Sequence, residues 1–266
     1  MAAQPLSTSR TSLEGKMAQG ALVRGTTEPG SEISLDGKPL RVNKAGQFAF
    51  GFERDATPEH QLAIRYPDGN TEELSLKVIA QDYRISRLTG ISKKIMEPNP
   101  DDVARAKKDS QMVREARDTD SDLDAFAGKF IWPVTGRISG VYGSQRVYNG
   151  VAGNPHYGVD VARPTGTVVV APADGVITLA VPDMFYSGGT MIIDHGLGVS
   201  SSFLHLSKLY VTPGTKVKQG QKVAEIGATG RVTGPHLDWR LNWYQMRLDP
   251  QTVVPAMSTV LPKKTQ

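Results

Sequence analysis

The chain has 266 residues, 39% of them hydrophobic and 22% charged, with 31 Lys and Arg against 27 Asp and Glu. These figures exclude a disordered or fibrous chain and leave room for two globular domains, each with its own core. Cysteine is absent, which excludes disulfides and thiolate metal sites, and no run of about 18 apolar residues offers a membrane span. The basic excess is mild and no Lys/Arg block concentrates it, so a nucleic-acid partner is not expected. The opening Met1-Ala2-Ala3-Gln4-Pro5 lacks the charged and apolar regions of a secretory signal. Its reading is a mature form carrying an added Met.

Residues 1–16 are small and polar and read as a flexible tail. Residues 17–80 then carry short alternating runs between turn signals. Ser34-Leu35-Asp36-Gly37-Lys38 predicts a hairpin, and Tyr66-Pro67-Asp68-Gly69-Asn70 joins Leu62-Ala63-Ile64 to Leu74–Val78. Strands at this spacing predict a small immunoglobulin-like β-sandwich serving to bind or position. His60 is read as a solvated loop residue. Residues 81–129 change character and predict a helical linker. Asn99-Pro100-Asp101-Asp102 offers a cap, and Val103 to Arg117 presents only a thin apolar stripe of Val103, Ala106 and Val113.

Phe130-Ile131-Trp132-Pro133 opens a second domain, residues 130–266, of short β runs broken by Gly and Pro. A polar loop from Gly143 to Pro155 leads into His156. Asp194-His195-Gly196-Leu197-Gly198 reads as a hairpin loop remote from any site. Sheet packed on sheet is the expected architecture, with a groove for a site. The runs from Val211 to Gly227 are similar to the barrel-sandwich of lipoyl- and biotin-carrier domains, but no acceptor lysine is present. Residues 253–260 can pack back on the domain.

Four of the five histidines fall between positions 156 and 236. Imidazole and carboxylate are both zinc ligands, and a catalytic site uses three and leaves one position open. In a strand, residues two apart share a face, so His236 and Asp238 can enter one pocket, both as ligands or one as acid/base group. Residues four apart lie too far from each other along a strand, so His156 and Asp160 share an ion only if the chain bends. Gly158 permits the bend.

His156-Tyr157-Gly158-Val159-Asp160, Phe203-Leu204-His205-Leu206-Ser207 and Gly227 to Asp238 resemble the successive signatures of the lysostaphin-type (LytM-like) zinc metalloendopeptidases, which cut peptides of bacterial peptidoglycan. The likeness runs from about Trp132 to Pro250 and includes Ala171–Gly175 and Asp194-His195-Gly196. It implies a mainly β peptidase domain of duplicated hybrid-motif, barrel-sandwich type. It implies zinc on His156 and Asp160, and acid/base roles for His205 and His236. The family's closing HxH reads His236-Leu237-Asp238 here, so the third ligand position carries carboxylate and Asp238 becomes its candidate. A second carboxylate lowers the charge of the metal centre and its power to acidify water.

Tyr148 is the candidate oxyanion partner, with an ordinary loop tyrosine as the plain alternative. Asn149 or Asn154 offers a resting-state cover for the metal. The resemblance implies a periplasmic or extracellular enzyme hydrolysing peptide cross-links of peptidoglycan, with no transmembrane segment. The rival reading is a wall-binding protein or regulator that keeps the fold without catalysis and acts beside cell-wall amidases or division proteins.

Overall fold

The computed structural model describes residues 7–89 and 100–261. The chain is mainly β. Its N-terminal part forms two antiparallel sheets from β1 (Ser12–Glu14), β2 (Leu22–Thr26), β3 (Glu32–Leu35), β4 (Lys38–Leu40), β5 (Gln47–Gly51), β6 (Glu59–Arg65) and β7 (Thr71–Lys77). The sheet orders are β1-β2-β5 and β4-β3-β6-β7. The alternating runs put Val23, Phe48 and Phe50 of one sheet and Ile33, Leu62, Ile64 and Leu76 of the other into a shared core. Asp36 and Gly37, at φ +50° and +75°, make the two-residue β3–β4 turn that the strand twist favours.

Two sequence expectations change here. Residues 12–14, read as tail, are a paired strand with Leu13 buried. His60 lies on β6, not in a loop; its Nδ1 stands 2.6 Å from Asp36 Oδ2 and its ring packs on Phe52. The sheet pairing of its flanking residues carries it onto the half-buried face.

The connecting region is not only helical. β8 (Ile85–Leu88) pairs in parallel with β10 (Gln145–Tyr148). The helix α1 runs Pro100–Arg117 with Asp101 and Asp102 in its first turn, where the helix dipole favours them. The Asn99 cap lies outside the described residues. The apolar stripe sits nearer the C-terminus than expected: Val103 is 48% exposed, whereas Met112, Val113 and Ala116 pack on Leu179, Met184 and Ile192. The apolar contact with the second domain's sheet is made by the last turns of α1, while Arg105 nearer its start pairs with Asp183 of β14 at 2.7 Å.

That sheet, all antiparallel, contains β9 (Arg137–Gly140), β12 (Val159–Ala162), β14 (Gly175–Met184), β15 (Gly188–Gly196), β16 (Val199–Leu209), β17 (Lys216–Val217) and β19 (His236–Trp243). Its order is β17-β14-β15-β16-β19-β12-β9, with β13 (Val168–Val170), β18 (Lys222–Ile226) and β20 (Met246–Leu248) paired alongside and β11 (Val151–Ala152) hairpinned to β10. Alternate residues Leu237, Trp239 and Leu241 of β19 enter the core with Val159, Val161 and Phe203, leaving His236 and Asp238 for the other face. The C-terminal segment packs back: Trp132 Nε1 donates to Pro255 O at 2.8 Å, and Met257 on the short α2 (Met257–Val260) is buried.

His195 is in β15 and not on a turn, because the hairpin needs only Leu197 and Gly198, both at positive φ. Its ring is fully buried, Nδ1 donating to Asp174 O at 2.7 Å and Nε2 accepting from Ser201 Oγ at 2.9 Å. Burial pushes its pKa down to about 4. A depressed histidine is neutral when folded while the unfolded chain takes up a proton below about pH 6.5, so the folded state loses stability as pH falls from about 6.5 to 4. The loss is about 3 kcal/mol. Urea denaturation near pH 7 and near pH 4 should show the His195→Gln variant losing that much less than wild type; equal losses overturn the assignment.

Candidate metal centre and catalytic groove

Register on two neighbouring strands builds the centre. Asp160 of β12 stands opposite Asp238 of β19, and Ala162 opposite His236. Directly opposed residues bring their Cβ atoms to about 4.5–5.5 Å, where two carboxylates repel unless a cation lies between or beside them. Two glycines make the space. A Cβ at Gly140 would lie 2.1 Å from Asp160 Oδ2, and one at Gly158 would lie 2.3 Å from Asp238 Oδ1. The chain bends at Gly158 before β12 starts at Val159, and this brings His156 Nε2 to 3.1 Å from Asp160 Oδ1 despite the four-residue spacing.

His156, Asp160 and Asp238 each offer one ligand atom, all within 4.8 Å of one another. His156 Nε2 and Asp160 Oδ1 are buried and have no hydrogen-bond partner among the described residues. Burial alone opposes a charge on His156, but the neighbouring carboxylates Asp160 and Asp238 outweigh it and raise its pKa. The pocket therefore favours a cation at this point. Nitrogen plus two carboxylate oxygens is a zinc-type donor set, and the residues present fit such an ion.

Sequence reasoning missed Arg240. Its Nε donates to Asp238 Oδ1 and Oδ2 at 3.0 and 3.1 Å, and a terminal nitrogen donates to Oδ2 at 2.6 Å. Burial would raise Asp238, but the Arg240 charge and hydrogen bonds hold it down to about 2. A carboxylate has about four acceptor sites, so Oδ1 keeps capacity for a metal. The signal was present as period two: positions 236, 238 and 240 share one face of β19.

His205 and His236 lie beside the cluster with ring centroids 4.9 Å apart. His205 Nδ1 is 2.9 Å from Thr229 O, and His236 Nδ1 is 2.8 Å from Gly234 O. A carbonyl only accepts, so each Nδ1 carries the proton and each Nε2 is left as an acceptor. His236 Nε2 is 3.8 Å from Asp160 Oδ1. Burial lowers the pKa of His205, which keeps it neutral near pH 7. His205 holds φ +65° at a β16 irregularity, a strained conformation for a non-glycine residue.

The groove has two joined parts. One, about 470 Å³, is lined by His205, His236 and Asp238; the other, about 670 Å³, by Tyr148 and Asn154; His156 and Asp160 line both. Tyr148, on β10, thus lies along the groove, in the part away from His205 and His236. Asn149 sits in the β10–β11 turn at φ +48°, and Asn154 lines the groove beside His156.

Gly158→Ala tests how the carboxylate is seated. The added methyl would overlap Asp238 Oδ1 and crowd Trp239 O, which lies 2.7 Å from its position. Zinc affinity should fall about 10–100-fold, the usual effect of disturbing the groups that orient a ligand. Competition with a chromophoric chelator reads it; unchanged affinity would show that Asp238 is not held this way.

Residues 154–250 match the model of peptidase family M23. The chain therefore carries a domain of this metallopeptidase family. Among its relatives is the peptidoglycan DD-endopeptidase ShyA of Vibrio cholerae, 30% identical over 224 residues that cover 84% of this chain and 47% of ShyA. The cell division protein DipM of Caulobacter vibrioides is 32% identical over 137 residues, 51% of this chain and 21% of DipM. The chain thus spans under half the length of each. A putative M23 peptidase from Pseudomonas aeruginosa superposes with a TM-score of 0.68 at 28% identity, covering 90% of this chain and 95% of that one.

Proposed function

We propose that this protein is a zinc-dependent endopeptidase that hydrolyses peptide cross-links of bacterial peptidoglycan, acting in the periplasm or outside the cell. The observation that carries the reading is the pocket itself. Three ligand atoms within 4.8 Å, two of them buried with no hydrogen bond beyond their own 3.1 Å approach, lie beside two histidines whose Nε2 atoms are left as acceptors. His156, Asp160 and Asp238 would hold the ion, which when bound polarises the scissile carbonyl and acidifies water.

The chain's own groups do the rest. The Nδ1–H bonds of His205 and His236 to backbone carbonyls fix both ring orientations and tautomers. One Nε2 accepts the proton of the attacking water; the other, once protonated, donates toward the developing oxyanion or the leaving amine. Both histidines line the same stretch of groove, so either order of roles is geometrically open. Tyr148 lies further along it as a donor to the extended peptide.

Arg240 favours a second reading, a catalytically silent wall-binding or amidase-regulating protein, because it already neutralises Asp238. Incubating purified sacculi with the zinc-loaded chain and analysing released muropeptides separates the two. Peptide-bond cleavage that His236→Ala abolishes supports the enzyme. Binding to sacculi without cleavage at any pH overturns it in favour of the second reading.

A further inference from the structure

Between α1 and the strands β14, β15, β16 and β19 lies a second cavity, about 360 Å³, within the size range of small-ligand sites. It borders the histidine groove, since Tyr186, Ser187, Leu204 and Arg240 line both. Its charge is unbalanced. Arg114, Arg117, Arg240 and Arg247 line it, and Asp109 is the carboxylate among its lining residues. Asp109 already accepts from Phe185 N at 2.7 Å, and Asp238 is already bonded to Arg240.

Arg117 is the residue this arrangement leaves unexplained. It is the last residue of α1 and only 4% exposed, carried inward because Met112, Val113 and Ala116 pack beside it. One terminal nitrogen reaches Ser202 Oγ only at 3.4 Å, and Nε has no partner among the described residues. Desolvation and the like charges of Arg247 and Arg240 work against its charged form and outweigh the attraction of Asp238. An arginine does not escape by deprotonating, so a guanidinium held this way calls for an anion.

We propose that this cavity is an anion site that takes a small oxyanion, a carboxylate or a phosphate-type group, between the guanidinium groups of Arg117 and Arg247. The planar fork of arginine matches both ligand types. Ser187 also lines the cavity, its Oγ 2.7 Å from Thr190 Oγ1, which in turn bonds Gly188 O at 3.0 Å. Position beside the groove makes a carboxylate on a bound wall peptide one source and free inorganic phosphate the other.

The test is the melting temperature of the full chain, with and without added zinc, titrated at constant ionic strength with sodium phosphate, sodium acetate or sodium chloride. Wild type should show a saturable rise with phosphate, acetate or both, independent of zinc, and none with chloride. Phosphate alone marks an inorganic oxyanion site, and a response to acetate marks a carboxylate site. Arg247→Gln should weaken the apparent affinity roughly tenfold or more, the value of one charge-assisted hydrogen bond. Arg117→Met should abolish the response and, in chloride, melt no lower than wild type, because it removes an unpaired buried charge. A flat wild-type titration, or a response that survives both substitutions, overturns the proposal.

Discussion

His236→Ala should bind zinc as wild type does and cleave peptidoglycan at least about a hundredfold more slowly, the lower bound usual for losing a positioned acid/base group. The imidazole faces the pocket with Nε2 at 3.8 Å from Asp160 Oδ1 and Nδ1 anchored to Gly234 O at 2.8 Å, so it is oriented without being one of the clustered ligand residues. His205→Ala should behave alike through its anchor on Thr229 O. Asp160→Ala should do the opposite: metal is lost, and activity with it, since this residue pairs in register with Asp238 and contacts His156. Zinc content by elemental analysis, beside muropeptide release, checks all three. Zinc loss in His236→Ala, or full zinc retention in Asp160→Ala, would reverse the two assignments.

Restoring the family's His-x-His pattern with Asp238→His should destabilise the fold and fail to improve catalysis. By charge alone the exchange looks favourable, since a neutral ligand raises the charge of the metal centre by about one unit and acidifies its water further. The structure adds a cost. Arg240 makes three contacts to Asp238, and its side chain is only 22% exposed, so the substitution strands a largely buried guanidinium. Breaking such a pair from one side costs about 3 kcal/mol. The larger ring must also fit where Gly158 leaves room for one carboxylate oxygen. Combining Asp238→His with Arg240→Gln should recover part of the stability and reveal any gain in activity at lower pH. Denaturant midpoints of the two single variants and the double, taken as a cycle, measure the coupling. A stable, more active Asp238→His single variant would show that Arg240 is not the obstacle.

Much of this protein was legible one residue at a time. Alternation and turn chemistry marked the strands, down to Asp36-Gly37 at the β3–β4 turn, because a side-chain period of two and the sterics of positive φ are local properties. The motifs around His156, His205 and His236 likewise stood out by type and spacing. Three decisions belonged to the tertiary structure. Strand register placed Asp160 opposite Asp238, and neither residue's neighbours in sequence encode that pairing. Burial separated the histidines: His195 lies on an inward position of β15 with both nitrogens satisfied, while the site histidines keep a nitrogen free. Packing of α1 carried Arg117 inside, and the β19 face joined Arg240 to Asp238. Charge balance at a buried point depends on every group that reaches it through space, and a linear pattern of residue types contains no such sum.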